Sequence, residues 1–437
     1  MTFSMSSRRE FLKTSSLIAL APCVPAFLAR TARAAEAAGD RRVLVVIQLD
    51  GGNDGINTVV PFADEGYAKH RAQLRLPADA LIKLDDETAL HPAMKAAAGL
   101  WDDRRLAIVR GVAYPNPNRS HDVSMAIWHT ARLDPEEHAG YGWLGRALDG
   151  AAPVAIDPGQ RNEFRSTTGA PAAMLIGNQP PPAALRGRRA SSAALASLEE
   201  MTLTNPTAEG LPDSAVPDET ASGKVSPGSV APDRAVPRSV RPGDDVADFI
   251  RRSTLDAYST ADRLSELAGR DAGGGYPATG LARKLELVAR LLNAGFETRV
   301  FYASQAGYDT HSAQLATHSD LLREFSGAVR AFLDDLAVAE LAERVVVLAF
   351  SEFGRRVEEN ASLGTDHGTA GPVFLAGPKV QAGFVGEAPK LLDLDDGDLR
   401  WSLDFRRVYA TVLDDWLGLD AEAALGGRFE KLPLFQG

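Results

Sequence analysis

The 437-residue chain has one cysteine, Cys23. It therefore holds no internal disulfide and no CxxC zinc or redox motif. It also lacks basic charge: 47 Lys and Arg stand against 58 Asp and Glu, a formal net charge of −11. That balance excludes a general nucleic-acid binder and adhesion to an anionic membrane surface, both of which need a basic face. No apolar run approaches the ~20 residues that span a bilayer. The N-terminal one, Leu17 to Leu28, is short and broken by Pro22 and Pro25, so stable membrane insertion is not expected. No internal repeat is visible. What is present is core material: 45% of residues are apolar, over a length that suits one large domain or two ordinary ones.

Ser7-Arg8-Arg9-Glu10-Phe11-Leu12-Lys13, followed by the short apolar stretch and by Ala32-Arg33-Ala34, reads as a twin-arginine (Tat) export signal with its cleavage site. Residues 1–34 are thus expected to be removed, with the Tat translocase as a partner during export and a periplasmic or secreted destination. Losing five basic residues and one acidic one would shift the net charge from −11 to −15 and remove the only cysteine.

Beyond the signal, strand and helix patterns alternate. Val43–Leu49 is a nearly continuous apolar run that ends in Asp50-Gly51-Gly52-Asn53-Asp54-Gly55, the pattern of a buried parallel strand entering a tight turn. Strands are also expected at 106–109, 154–156, 173–176, 298–303, 344–350 and 372–376. Helices are expected at 91–101, 121–132, 246–272, 279–294, 312–338 and 405–417. Residues 178–244 are rich in Pro, Ala, Ser, Gly and Asp and read as an insertion with much flexible loop. The order implies an α/β fold with a mainly parallel central sheet flanked by helices, one domain over 41–430 interrupted by that insertion.

In such sheets, sites form at the carboxyl ends of the strands. Reading only those positions gives Asp50 after the first strand, Ser120 and His121 after the loop that follows the second, and Asp309 and His311 after the strand at 298–303. Glu352 follows the strand at 344–350, and His367 lies just before the strand at 372–376. Each alone could be a turn former, cap or polar loop residue. Together they place carboxylates and imidazoles, ligands that suit zinc, manganese or iron, on one edge of a sheet. His70, His129, His138 and His318 have no such placement and read as structural or solvated. His91 reads as a local packing or capping residue.

Residues 43–62 (VLVVIQLDGGNDGINTVVPF), 115–131 (PNPNRSHDVSMAIWHTA), 307–311 (GYDTH), 350–356 (FSEFGRR) and Thr365-Asp366-His367-Gly368-Thr369 resemble the Tat-exported bacterial family named domain of unknown function 1501. The resemblance runs from about residue 41 to about residue 420, apart from the insertion. That family is similar to the alkaline phosphatase and sulfatase superfamily of α/β proteins with a two-metal centre. The resemblance implies Asp50, Asp309, His311, Glu352 and His367 as metal ligands, for one or two divalent ions: zinc first, with manganese, iron or calcium as alternatives. Phe353 stands where the superfamily commonly pairs a histidine with an aspartate, which would cost the second metal a ligand. Ser120 or His121 falls near the usual nucleophile position. A Ser120 nucleophile would keep covalent chemistry, and a His121 ligand would partly replace the histidine missing at 353. Arg119 and Arg355 are candidate anion binders.

Two functions follow as expectations. One is an exported metal-dependent hydrolase of small phosphate or sulfate esters. The other is a non-catalytic binding or assembly protein that keeps the fold, with a co-encoded secreted protein as partner.

Overall fold

Val43 to Leu49 are buried on both faces of a strand, which decides where this sequence puts its centre. The computed structural model describes residues 42–137, 140–151, 170–196 and 275–436. The expected export signal at 1–34, the strand at 154–156, the helix at 246–272, His138 and the 197–244 part of the insertion lie outside the described residues. Arg42–Gly437 forms one compact unit.

Among the described residues, nine strands make the main sheet. In chain order they are β1 (Val43–Asp50), β2 (Leu106–Ala113), β3 (Ala173–Ile176), β4 (Ser192–Leu195), β5 (Val300–Ala306), β6 (Val345–Phe350), β7 (Gly371–Ala376), β8 (Gly383–Val385) and β9 (Leu403–Asp404). Across the sheet the order is β8-β2-β7-β6-β1-β5-β3-β4, with β9 also paired to β2. β1 is parallel to β5 and β6, in register Ile47 with Ala303 and Ala349. The sheet is mostly parallel, as expected, and β7 is the exception: it is antiparallel to both β6 and β2. β4 lies inside the segment read as flexible insertion; Ser192–Leu195 instead pairs in parallel with β3 and extends the sheet edge.

The period-2 alternation of the strands puts one large core cluster on each face of the sheet. Val43, Val45, Ile47 and Leu49 point into one cluster, with α1 (Lys95–Asp102), α4 (Gly280–Asn293) and α5 (Gln314–Val338). Leu44 and Val46 point into the other, with α2 (His121–Thr130), α3 (Trp143–Ala151) and α6 (Phe405–Thr411). Each buried Val, Leu or Ile contributes about 1.5–3 kcal/mol, so β1 anchors both layers. α6, expected to run to 417, widens into a π-helical stretch over Val412–Leu417, where the Trp416 indole donates to the Val43 carbonyl at 3.0 Å. Among the described residues no helix is long and apolar enough to cross a membrane.

The antiparallel run of β7 matters for function. The beginning of an antiparallel strand lies at the same edge as the ends of its parallel neighbours. The segment before β7 therefore meets the turns after β1, β5 and β6, and all the chemistry-bearing loops share one edge.

Candidate metal centre

The turn after β1 sets the floor. Gly51 and Gly52 have φ of +119° and +78°, where a side chain is strained. A Cβ on Gly51 would lie 2.4 Å from the Asp309 amide nitrogen, and one on Gly52 would lie 2.4 Å from the Phe353 ring. The glycines thus let the loops after β5 and β6 close onto this turn.

On that floor four side chains converge. The Oδ1 of Asp309 lies 2.9 Å from Nε2 of His311, 3.1 Å from Nε2 of His367 and 3.6 Å from Nε2 of His121. The two nitrogens Nε2 of His311 and His367 are 2.9 Å apart. The ligand atoms of His121, Asp309 and His367 all lie within 4.8 Å of one another.

The other ring nitrogens are each taken. His121 Nδ1 lies 2.7 Å from Glu352 Oε1, His367 Nδ1 lies 2.8 Å from the Arg119 carbonyl, and His311 Nδ1 lies 3.3 Å from Asp366 Oδ1. All three partners are acceptors, so each ring carries its proton on Nδ1 and turns an unprotonated Nε2 toward Asp309. Two lone pairs then face each other at 2.9 Å beside a carboxylate, an arrangement that a shared cation, a proton or a metal ion, makes favourable. His121 Nε2 is buried and accepts and donates no hydrogen bond; a buried polar atom left so costs about 1–3 kcal/mol. Around a tetrahedral zinc, ligand atoms stand about 3.3–3.5 Å apart. The spacings here bracket that figure, so the residues fit a divalent ion.

The surroundings hold this geometry. Burial alone would raise the Asp309 carboxyl; the hydrogen bond and the charge of Arg355 outweigh it and hold it down at about 2. The Phe353 ring packs against the rings of His121 and His367, with centroids 4.9 and 4.8 Å away. Asn360 donates to Asp366 Oδ1 at 3.1 Å and to the His311 carbonyl at 3.0 Å, which fixes the His311 loop.

Asp309, His311 and His367 stand together, with His121 beside them. Glu352, expected as a ligand, instead has a fully buried carboxylate that accepts from the Gly51 amide at 3.0 Å and holds His121. Its Oε1 is thus engaged by an amide and an imidazole. Arg355, expected to bind an anion, is also buried. Its guanidinium donates to the carbonyls of Gly51, Gly52, Tyr308 and Thr365 and to Asp309, so it fastens the loops together. The Asp50 carboxylate accepts from Gln48 Nε2 at 3.2 Å and its carbonyl from the Tyr308 amide at 3.1 Å; it bonds none of the four clustered side chains. Ser120 is exposed at the start of α2, and its hydroxyl makes no hydrogen bond to the cluster. Arg119 supplies its carbonyl to His367, while its guanidinium is paired with Asp398.

Residues outside the expected set also matter. Asp366 was visible beside His367 in the sequence, but nothing local marked it as the partner of His311. Asp54 forms a fully buried ion pair with Arg71, Nη1 to Oδ2 at 2.6 Å, and Arg71 also donates to the carbonyls of Arg356 and Val357. This pair ties the turn after β1 to the loop after β6. No short-range pattern links the two residues. Among the histidines read as structural, solvated or capping, His318 is buried and approaches Asn53 Oδ1 at 3.0 Å, His129 is buried and approaches Gln48 Oε1 at 3.1 Å, His91 Nδ1 accepts from the Ala93 amide, and His70 is half-buried.

Residues 248–427 match the family described as "Protein of unknown function (DUF1501)". No curated protein matches the sequence. Solved structures similar to the chain include the PsFucS1 sulfatase from Pseudoalteromonas sp., at 11% identity and a TM-score of 0.36, covering 93% of this chain and 73% of that one. The C-terminal periplasmic domain of EcEptC from Escherichia coli, in complex with Zn, is similar at 11% identity and a TM-score of 0.36, over 87% and 83% of the two chains. The lipoteichoic acid synthase LtaP from Listeria monocytogenes is similar at 8% identity and a TM-score of 0.30, over 80% and 67%.

Proposed function

We propose that the chain is an exported, metal-dependent hydrolase-like protein acting on phosphate or sulfate esters through a one-ion centre. The observation that carries this reading is the aim of three imidazole Nε2 atoms at one oxygen of Asp309, with every Nδ1 engaged by an acceptor. His121, Asp309, His311 and His367 would hold the ion. The imidazole-rich donor set favours zinc, then manganese or iron; calcium prefers oxygen ligands alone. A cation there would supply Lewis-acid charge to an ester oxygen.

The chain's own groups have separate tasks. Glu352, Asp366 and the Arg119 carbonyl orient the imidazoles, and Arg355 keeps Asp309 ionised. Phe353 packs against two of the rings and limits how they can turn. Ser120, exposed next to His121, would be the attacking hydroxyl. The motif segments that resemble the Tat-exported family support the ester chemistry, and the twin-arginine segment supports export to the periplasm or beyond.

The test is hydrolysis of p-nitrophenyl phosphate and p-nitrophenyl sulfate by protein purified without chelator. Turnover should vanish on dialysis against chelator, return with one added equivalent of metal, and be absent in His367→Ala. A second reading, a non-catalytic binding or assembly protein with a co-encoded secreted partner, is favoured by one observation: Arg355 is spent on backbone carbonyls and offers little to an oxyanion. Bound metal without turnover of either ester would decide for it.

A further inference from the structure

Next to the cluster stands a guanidinium that makes no hydrogen bond among the described residues. Arg356 has two carboxylates within 4 Å, Asp396 Oδ2 at 3.5 Å and Asp398 Oδ1 at 3.9 Å, and its charge also reaches Asp366. Arg119 bonds Asp398 Oδ2 and stands 3.5 Å from the same Asp396 Oδ2. Two arginines thus converge on one oxygen of Asp396, Arg119 through a long hydrogen bond and Arg356 through an ion pair without one, both beyond the usual range of about 2.7–3.2 Å.

The two aspartates differ. The Asp398 side chain is buried at 1% exposure and its Oδ1 accepts no hydrogen bond; that of Asp396 is 84% exposed. Asp396 and Gly397, with φ of +50° and +82°, form the tip of a hairpin whose strands are Leu394–Asp395 and Asp398–Leu399. A Cβ on Gly397 would lie 2.9 Å from Arg356 Nη1, so the glycine is what lets the guanidinium reach the tip. If Asp396 swings out, Asp398 is left as the one carboxylate within 4 Å of the two guanidinia. An exposed ion pair at 3.5 Å contributes little. An oxyanion accepting charge-assisted hydrogen bonds from two guanidinia contributes far more.

Both arginines rise from the walls of the cluster. The Arg119 carbonyl holds His367, and the Arg356 amide donates to the Asp366 carbonyl at 3.0 Å. Arg355 and His367 pair across an antiparallel bridge, which sets Arg356 beside the cluster.

We propose that Arg119 and Arg356 form an anion subsite, in which a second anionic group of the ligand — carboxylate, sulfate or phosphate — displaces Asp396 from the two guanidinia. The proposal rests on the reading that the cluster binds the ligand's first, ester-forming group. It narrows the ligand to esters carrying a further negative charge a short distance from the reacting one.

The test is calorimetric titration with phenylphosphonate and 4-carboxyphenylphosphonate, two probes without a hydrolysable bond, together with metal analysis of each protein. The wild type should bind the carboxylated probe about tenfold more tightly, the worth of roughly one charge-assisted hydrogen bond. Asp396→Asn should widen the gap by removing the competitor. Arg356→Gln should bring the ratio close to one while metal content stays unchanged. Equal affinities in the wild type, a preference that survives Arg356→Gln, or failure of metal-bearing protein to bind either probe would overturn the subsite. A wild type without metal would instead sink the ester-hydrolase reading. The subsite would then be judged by titration of inorganic sulfate: binding lost in Arg356→Gln would keep it, and no binding would overturn it.

Discussion

Nδ1 of His121 lies 2.7 Å from Oε1 of Glu352, a carboxylate with no exposed surface. The same oxygen accepts the Gly51 amide at 3.0 Å, and the Ser351 hydroxyl donates to Oε2 at 3.0 Å. A buried, well-bonded carboxylate on the far nitrogen of an imidazole fixes the tautomer and raises the basicity of the near nitrogen. Glu352→Gln should therefore lower metal affinity by about 10–100-fold. Competition against a chromophoric chelator measures this. Affinity unchanged in Glu352→Gln would mean that His121 is not a ligand.

Arg355 fastens four backbone carbonyls and Asp309 in the interior. Arg355→Gln should cost about 3–5 kcal/mol, the range for breaking a buried charged network by removing one partner, with metal retention lost alongside. Thermal unfolding checks it. An unchanged melting temperature with weaker substrate binding would restore the anion-binding role expected from sequence.

Gly52 has φ +78° and faces the Phe353 ring. Gly52→Ala should destabilise by about 1–3 kcal/mol through strain and the displaced ring, and should loosen the metal because Phe353 supports His121 and His367. Denaturant unfolding and metal affinity should move together; a change in stability alone would detach Phe353 from the site.

Stability should fall with acid in two stages. Burial holds His91, His129 and His318 down at about 4, against 6.5 when unfolded. Below pH 6.5 the unfolded chain takes up protons that the folded chain refuses, so stability is lost as pH falls from 6.5 toward 4. Burial also opposes ionisation of Asp54, but the Arg71 charge and hydrogen bonds prevail and hold it at about 2, against 3.8. Its contribution is present above pH 3.8 and lost as pH falls toward 2. Unfolding monitored from pH 8 to 2 should trace both stages. A flat profile between pH 6.5 and 4 would contradict the buried neutral histidines.

The fold and much of the site were legible because their signals are local. The apolar runs at 43–49 and 344–350 have no other use than buried strands, and strand ends bring Asp309, His311 and His367 to one edge. The roles of Glu352 and Arg355 were not legible. A carboxylate after a strand reads the same whether it faces an ion or the second nitrogen of a histidine. An arginine reads the same whether it meets solvent or four carbonyls, since those carbonyls come from residues up to 304 positions away. β4 was hidden by composition, because Ser192-Ala193-Ala194-Leu195 has little strand preference and is ordered by its pairing with β3.

The central claim is a one-ion centre on His121, Asp309, His311 and His367. Its most direct test is metal content by inductively coupled plasma mass spectrometry of protein purified without chelator, beside an Asp309→Ala/His311→Ala variant. The account predicts one equivalent in the wild type, lost in a variant that remains folded. No metal in the wild type, or an equivalent that persists in the variant, would contradict it.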